Sequence, residues 1–145
     1  MIDLRVIDKE NFLTIINLSV GEEQKSFVAS NAVSIAQSKV QPECIPLAVY
    51  DGETPVGFVM YCIDTEDNKY WIYRLMIDQR YQSKGYGQHA MKKLVSLIQQ
   101  DKSHHVIYIS FEPENRRAEM LYRNLGFTQD GRIIDHEIVY TLEYE

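Results

Sequence analysis

No apolar run in this sequence approaches the ~20 residues that a membrane-spanning helix requires, so no membrane partner is expected. Cysteine is scarce. Cys44 and Cys62 match no metal-ligand spacing and are too few for a disulfide framework, so no metal is expected. The ordinary reading is two reduced, partly buried thiols in an intracellular protein. Basic charge is also in short supply: 15 Lys and Arg stand against 21 Asp and Glu, a net charge of −6. That balance argues against a nucleic-acid partner, whose binding draws on basic surface. It is compatible with a cationic small molecule attracted by a negative field. The opening residues, Met1-Ile2-Asp3-Leu4-Arg5-Val6, lack the shape of a secretory signal because polar residues interrupt the apolar ones at once. A cytoplasmic location is the expectation. Internal repeats, linkers and low-complexity tracts are missing too, and 145 residues suit one domain, 1–145, with one sizeable core.

What is present is a regular succession of strand-like and helix-like stretches. Ile2, Leu4 and Val6 alternate with Asp3 and Arg5, as in a half-buried strand. Asp8 reads as an N-cap, followed by Phe12, Ile15 and Ile16 at helical spacing. A second helical segment carries Val33, Ile35, Ala36 and Val40, with Ser26 or Asn31 as its cap. Leu47–Tyr50 and Val56–Ile63 read as strands joined through Asp51-Gly52, a hairpin signal, and Tyr70–Asp78 completes an antiparallel meander. The clearest helix runs to about Gln100, with Ala90, Met91, Leu94, Leu97 and Ile98 on one face. Val106–Phe111 reads as a buried strand parallel to Tyr70–Asp78. Asn115 caps a helix on which Ala118, Leu121, Tyr122 and Leu125 share a face, and Gly126 ends it. Phe127–Asp130 and the alternating Ile138, Tyr140, Leu142 and Tyr144 predict a closing strand pair. The order β-α-α-β-β-β-α-β-α-β-β describes a mixed α/β (α+β) sheet with helices on both faces. The C-terminal pair could equally serve as the edge of a homodimer.

Between the third strand of the meander and the clearest helix lies Arg80-Tyr81-Gln82-Ser83-Lys84-Gly85-Tyr86-Gly87-Gln88. A strand that feeds a glycine-rich turn opening a helix can hold an anion, because the first helical N–H groups are unpaired and carry the positive end of the dipole. A P-loop fails: Gln88 follows Gly87, and no Lys-Ser/Thr pair is present. A dinucleotide fingerprint, Gly85-x-Gly87-x-x-Ala90, fits the glycines but not the context, since Gln79–Lys84 intervene after the strand. On this stretch alone both a dinucleotide and another phosphate ligand stay open.

The longer pattern Gln82-x-x-Gly85-x-Gly87 resembles the GNAT superfamily of acetyl-CoA-dependent N-acetyltransferases. So does Asn115-x-x-Ala118-x-x-Leu121-Tyr122-x-x-x-Gly126-Phe127 further on. Glu23-Gln24-x-x-Phe27-Val28, Pro46, Pro55–Tyr61 and Trp71–Asp78 are similar to the bacterial spermine/spermidine (diamine) acetyltransferase branch. The resemblance implies a mostly antiparallel sheet of about seven strands with about four helices, splayed between the fourth and fifth strands. It implies acetyl-CoA as co-substrate, with its pyrophosphate on Gln82, Ser83, Lys84, Gly85, Tyr86, Gly87 and Gln88. The pantetheine arm would pair with Leu75, Met76 and Ile77, and Asn115 would add a hydrogen bond. Tyr122 becomes the general acid at the CoA sulfur, although its place on an apolar helix face is equally that of a core tyrosine.

Acetyl transfer also needs a neutral amine. A polyamine nitrogen resembles lysine, with a pKa near ~10.4, so neutralising it near pH 7.4 costs roughly 4 kcal/mol. Some polyamine acetyltransferases carry an acidic residue in the strand before the turn; here Tyr73 stands at that place, with Arg74 next. Glu22, Glu23 and Glu112 are the alternative carboxylates, and Glu23 and Tyr73 are the candidate substrate-binding residues. The histidines read as loop, edge or helix residues. The expected function is acetylation of a primary amine of a small polycation. A peptide N-terminus, a lysine or another amine is the enzymatic alternative, and a non-catalytic acyl-CoA-binding protein the third.

Overall fold

Alternation along the strands sorts the apolar side chains onto two faces of one sheet: Leu47 and Val49 join one buried cluster, Ala48 and Tyr50 the other. The computed structural model describes residues 1–145. Strands β2 (Ile45–Asp51), β3 (Thr54–Ile63) and β4 (Tyr70–Ile77) form the antiparallel meander, and β1 (Ile2–Val6) pairs antiparallel with β2 at its edge. β5 (Val106–Phe111) runs parallel to β4, and β6 (Thr128–Ile134) and β7 (Glu137–Glu143) close the sheet in the order β1-β2-β3-β4-β5-β7-β6. Helices α1 (Phe12–Ile16) and α2 (Asn31–Val40) cover one face, and α3 (Tyr86–Gln99) and α4 (Arg116–Asn124) the other. Ala90, Met91, Leu94 and Ile98 of α3 are fully enclosed, each larger side chain contributing about 1.5–3 kcal/mol by leaving water.

Several local expectations are corrected. The cap of α2 is Ser30, whose side chain accepts from the Val33 amide, because Asn31 turns inward and donates to the Ile15 carbonyl oxygen at 2.8 Å. The inner face of α2 is polar: Asn31 and Ser34 are buried, whereas Val33 and Val40 are exposed. Arg74 of β4 is the reason, since its guanidinium reaches Ser34 Oγ and Gln37 Oε1. The cap of α1 is Asn11, while Asp8 Oδ1 accepts from the Glu10 and Asn11 amides ahead of it. Leu97 is 38% exposed rather than buried. β5 buries alternate residues only, and β6 runs four residues past Asp130, to Ile134. Every residue of β6 is exposed, so this edge strand has no apolar alternation to read.

The feature that shapes the site is where the sheet comes apart. β4 and β5 pair over Tyr70–Ile72 and Ile107–Ile109 only. On its other edge β4 pairs with β3, and the register shifts there: Met60 faces Arg74 and Tyr61 faces Ile72. Tyr73 is thus the extra residue of a bulge, which bends its strand. Beyond it the edge of β4 facing β5 is unpaired, and the sheet splays between the fourth and fifth strands. Gly57 of β3 keeps the far end of β4 close, since a Cβ there would overlap the Met76 carbonyl oxygen.

Candidate active site

The segment after β4 folds into a cradle because Asp78 fixes its start. This buried carboxylate accepts from the Ser19 amide at 3.0 Å and from the Arg80 amide and Nε at 2.9 and 2.8 Å. Burial alone would raise its pKa, but those hydrogen bonds outweigh it and hold the group below its ordinary value. Ser83 and Gly85 then take positive φ angles of 66° and 83°, a conformation glycine adopts without steric cost. The backbone amides from Gln82 to Gln88 have no backbone partner. They lead into the start of α3 as unpaired donors.

The structure separates side-chain from backbone roles in this stretch. The Gln82 side chain is a strut: its Nε2 donates to the Ile77 carbonyl oxygen and to Gln24 Oε1, and its Oε1 accepts from Arg117 Nη1. The Tyr86 hydroxyl turns away to donate to Asp51. Ser83, Gly85, Gly87 and Gln88 line the adjoining cavity, whereas Lys84 lies outside its lining. Asn115 caps α4 through Oδ1, which accepts from the Ala118 amide, and it also lines the cavity.

That cavity, about 1160 Å³, runs through the splay. On the α3–α4 face Tyr122 enters it. The end of α4 locks this residue in place: the Phe127 amide donates to the Tyr122 carbonyl oxygen and the Gly126 amide to that of Arg123. Phe111 and Phe127 pack around the ring at centroid distances of 5.4 and 6.1 Å. The Tyr122 hydroxyl takes no part in the internal hydrogen bonds and is not one of the enclosed orphan atoms, so it opens on the cavity. Burial, reinforced by the charge of Glu137, pushes its pKa above the ordinary tyrosine value.

The α1–α2 face presents a different chemistry. Asp64, Asp67 and Glu137 line the cavity there, and Glu66 and Asp135 add two more carboxylates to its lining. The Tyr73 hydroxyl donates to Asp64 Oδ2 at 2.7 Å, and burial together with that bond holds it protonated. Trp71 donates to Asp67 and stacks on Tyr108 at 5.0 Å, with the Arg132 guanidinium over both rings. Arg132 is neutralised by Asp130 at 2.9 Å and Lys25 by Glu22 at 2.7 Å, while Arg74 keeps its charge among neutral partners, Ser34 and Gln37 of α2. Glu23, by contrast, is not part of the lining, nor are Glu22 and Glu112.

A cradle of amides on one face and a tyrosine at a slot through a splayed sheet form the frame of an acyl-transfer site, and the comparisons with known proteins agree. Residues 8–127 match the Acetyltransferase (GNAT) family. The chain belongs to the GNAT acetyltransferase family. It is 29% identical over 138 residues to the spermine/spermidine N(1)-acetyltransferase of Bacillus subtilis, covering 91% of each chain. It is 32% identical over 85 residues to N-alpha-acetyltransferase 30 of Xenopus laevis, covering 57% of this chain and 31% of that one. Among solved structures, the fold is shared with the spermidine N-acetyltransferase of Vibrio cholerae in complex with CoA and spermine. The TM-score is 0.77 at 17% identity, covering 98% and 95% of the two chains. It is shared too with an aminoglycoside acetyltransferase in complex with coenzyme A and kanamycin, at a TM-score of 0.81 and 16% identity over 99% and 95%.

For a GNAT acetyltransferase, the sequence reading singled out Gln82–Gln88 and Tyr122 but not the carboxylates that line the same cavity. Asp64 and Asp67 look like members of an ordinary polar loop, and Glu137 lies 73 positions from Asp64 with no spacing to connect them. Arg117 and Arg132 were missed for the same reason. The one available signal for Glu137 is its parity: it shares the face of Val139, two residues on, against the α1–α2 cluster.

Proposed function

We propose that this protein transfers the acetyl group of acetyl-CoA to a primary amine of a small polycation, spermidine or spermine, by direct attack on the thioester. The observation that carries the reading is the polarity of the cavity, with unpaired backbone donors on one face of the sheet and a surplus of carboxylates on the other. The first suits a pyrophosphate and the second a polyamine. The 29% identity with the Bacillus spermine/spermidine enzyme supports the same choice.

The residues present fit the donor. The amides of Gln82–Gln88 hold the pyrophosphate, assisted by Asn115 and Arg117, and the Gln82 side chain braces the loop from behind. The open edge of β4 at Leu75, Met76 and Ile77 accepts the pantetheine amides as an added strand would. Acetyl-CoA supplies an activated acyl group and a thiol leaving group. Tyr122 donates a hydrogen bond to the sulfur as negative charge develops there. Because its pKa lies above the ordinary ~10 and a thiol's is ~8.5, full proton transfer is uphill by more than about 2 kcal/mol. Tyr122 therefore stabilises the charge first and gives up its proton only as the thiol forms. Tyr73, held by Asp64, borders the acceptor side and stays protonated, so it positions the amine rather than taking its proton.

The test is a crystal structure with CoA and spermine bound. The expected result places the pyrophosphate on the Gln82–Gln88 amides and one spermine nitrogen in the splay between Tyr73 and Tyr122. Spermine found outside the cavity, or density for CoA elsewhere, overturns the reading.

A further inference from the structure

Nothing in the roles just assigned removes a proton from the acceptor ammonium, and the strand before the cradle offers Tyr73 where a carboxylate would serve. The rest of the cavity wall supplies one. Glu137 opens β7, directly after the Asp135-His136 turn, at the level where β5 ends: Phe111 pairs with Ile138. It is half-buried, lines the cavity, and lies on the α1–α2 face with Ser110 and Val139. Ser110 Oγ donates to Glu137 Oε1 at 2.7 Å, which fixes the carboxylate and leaves its second oxygen without a protein partner. Both residues sit beyond Ile109, the last residue of β5 paired with β4, and so face the gap of the splay. Tyr122 enters the same gap from the other face, close enough to feel the Glu137 charge.

We infer that Glu137 is a further catalytic residue, the proton acceptor for the substrate ammonium, and that Ser110 is its positioning residue. The inference rests on the amine-acetyltransferase reading above. Glu137 takes one proton from the ammonium, freeing the nitrogen lone pair that forms the new C–N bond. Tyr122 gives a proton to the sulfur as the C–S bond breaks. The second proton that nitrogen sheds on becoming an amide restores Tyr122, and Glu137 releases the first to solvent. Each substrate ammonium therefore yields one acetamide, one thiol and one free proton.

The charged groups that line the cavity with Glu137 are Asp64, Glu66, Asp67 and Asp135 and the cations Lys25, Arg74, Arg117 and Arg132, beside the hydroxyls of Tyr73, Tyr81 and Tyr122. Tyr73 is committed to Asp64, and Arg132 to Asp130. Asp135 lies in the turn itself, outside the strand that holds Glu137. Among the lining carboxylates Asp64 and Asp67 already accept from Tyr73 and Trp71, whereas Glu137 receives a hydroxyl on one oxygen only.

The experiment compares wild type, Glu137→Gln, Glu137→Asp and Ser110→Ala as pH profiles of kcat and kcat/KM with spermidine at saturating acetyl-CoA. General-base loss typically costs 10²–10⁴-fold, and Glu137→Gln is expected to lose about 10³-fold in kcat at pH 7.5. Its kcat/KM should then rise about tenfold per pH unit towards the amine's own pKa, as only the free base reacts, where the wild type is flat. Glu137→Asp should recover part of the rate, and Ser110→Ala should lose about tenfold with the flat profile kept. An amine already neutral at pH 7 should narrow the gap between wild type and Glu137→Gln. If Glu137→Gln raises KM alone with kcat and profile unchanged, Glu137 is an anchoring group and the inference is wrong. If wild type turns over no amine at all, the functional reading itself has failed instead. Acetyl-CoA binding measured on each variant guards against misfolding, and all should match wild type.

Discussion

Replacing Tyr122 with Phe removes one oxygen atom and little else. The ring keeps its contacts with Phe111 and Phe127, and the helix end that locks it uses only backbone bonds. The hydroxyl satisfies nothing inside the protein, so the stability cost should be about 0.5 kcal/mol or less. Catalysis should suffer far more. Loss of a single aligned donor to developing charge costs about 2.7–4 kcal/mol, or about 10²–10³ in kcat. The pH dependence is part of the same prediction. Burial and the Glu137 charge raise the Tyr122 pKa, so the hydroxyl stays protonated up to about pH 10, and the wild type should show no alkaline limb from this residue. The assay is release of CoA thiol with spermidine, paired with calorimetric CoA binding and a thermal melt. A Tyr122→Phe enzyme with normal binding, a normal melt and kcat within twofold of wild type would refute the acid role and return Tyr122 to the core.

Three further outcomes follow from the packing. Gly57→Ala forces a Cβ onto the Met76 carbonyl oxygen; overpacking of this kind costs about 1–3 kcal/mol, readable as a lower urea midpoint with CoA binding weakened as β4 shifts. Asp78→Ala leaves the Ser19 and Arg80 amides without their acceptor and should cost about 2–3 kcal/mol at pH 7. Since the Asp78 pKa is lower folded than unfolded, its contribution is present above about pH 4 and fades as pH falls through the folded value; the deficit should shrink on acidification. Burial pushes the Cys62 thiol up to about 12 and raises that of Cys44; neither should react with Ellman's reagent at pH 8 until the protein is unfolded.

How much of this could be read from residues alone differs by element. The cradle and the α4 signature are local: their glycines, caps and spacing lie within a dozen positions, so the sequence displays them directly. The meander and the parallel β5 were equally legible from alternation and turn residues. What stayed hidden depends on contacts across the sheet. The polar inner face of α2 follows from Arg74 reaching it from β4, and Arg74 gives no hint of that in its own neighbourhood. The bulge at Tyr73 is a register shift against β3, invisible in a strand read by itself. Glu137 reaches the cavity only because β7 inserts beside β5 and brings it to Ser110. Glu23, favoured for its charge and motif position, is left outside the cavity lining by the same folding.

The most direct test of the account is a set of kcat/KM values for thiol release from acetyl-CoA with spermine, spermidine, an aminoglycoside, a free amino acid, a lysine-containing peptide and a peptide with a free N-terminus. The carboxylates on the acceptor face predict that spermine and spermidine exceed every monocationic amine by at least tenfold, with the advantage shrinking as salt is raised. Turnover of peptide N-termini without turnover of either polyamine would contradict the acceptor assignment and leave only the acetyl-CoA cradle standing.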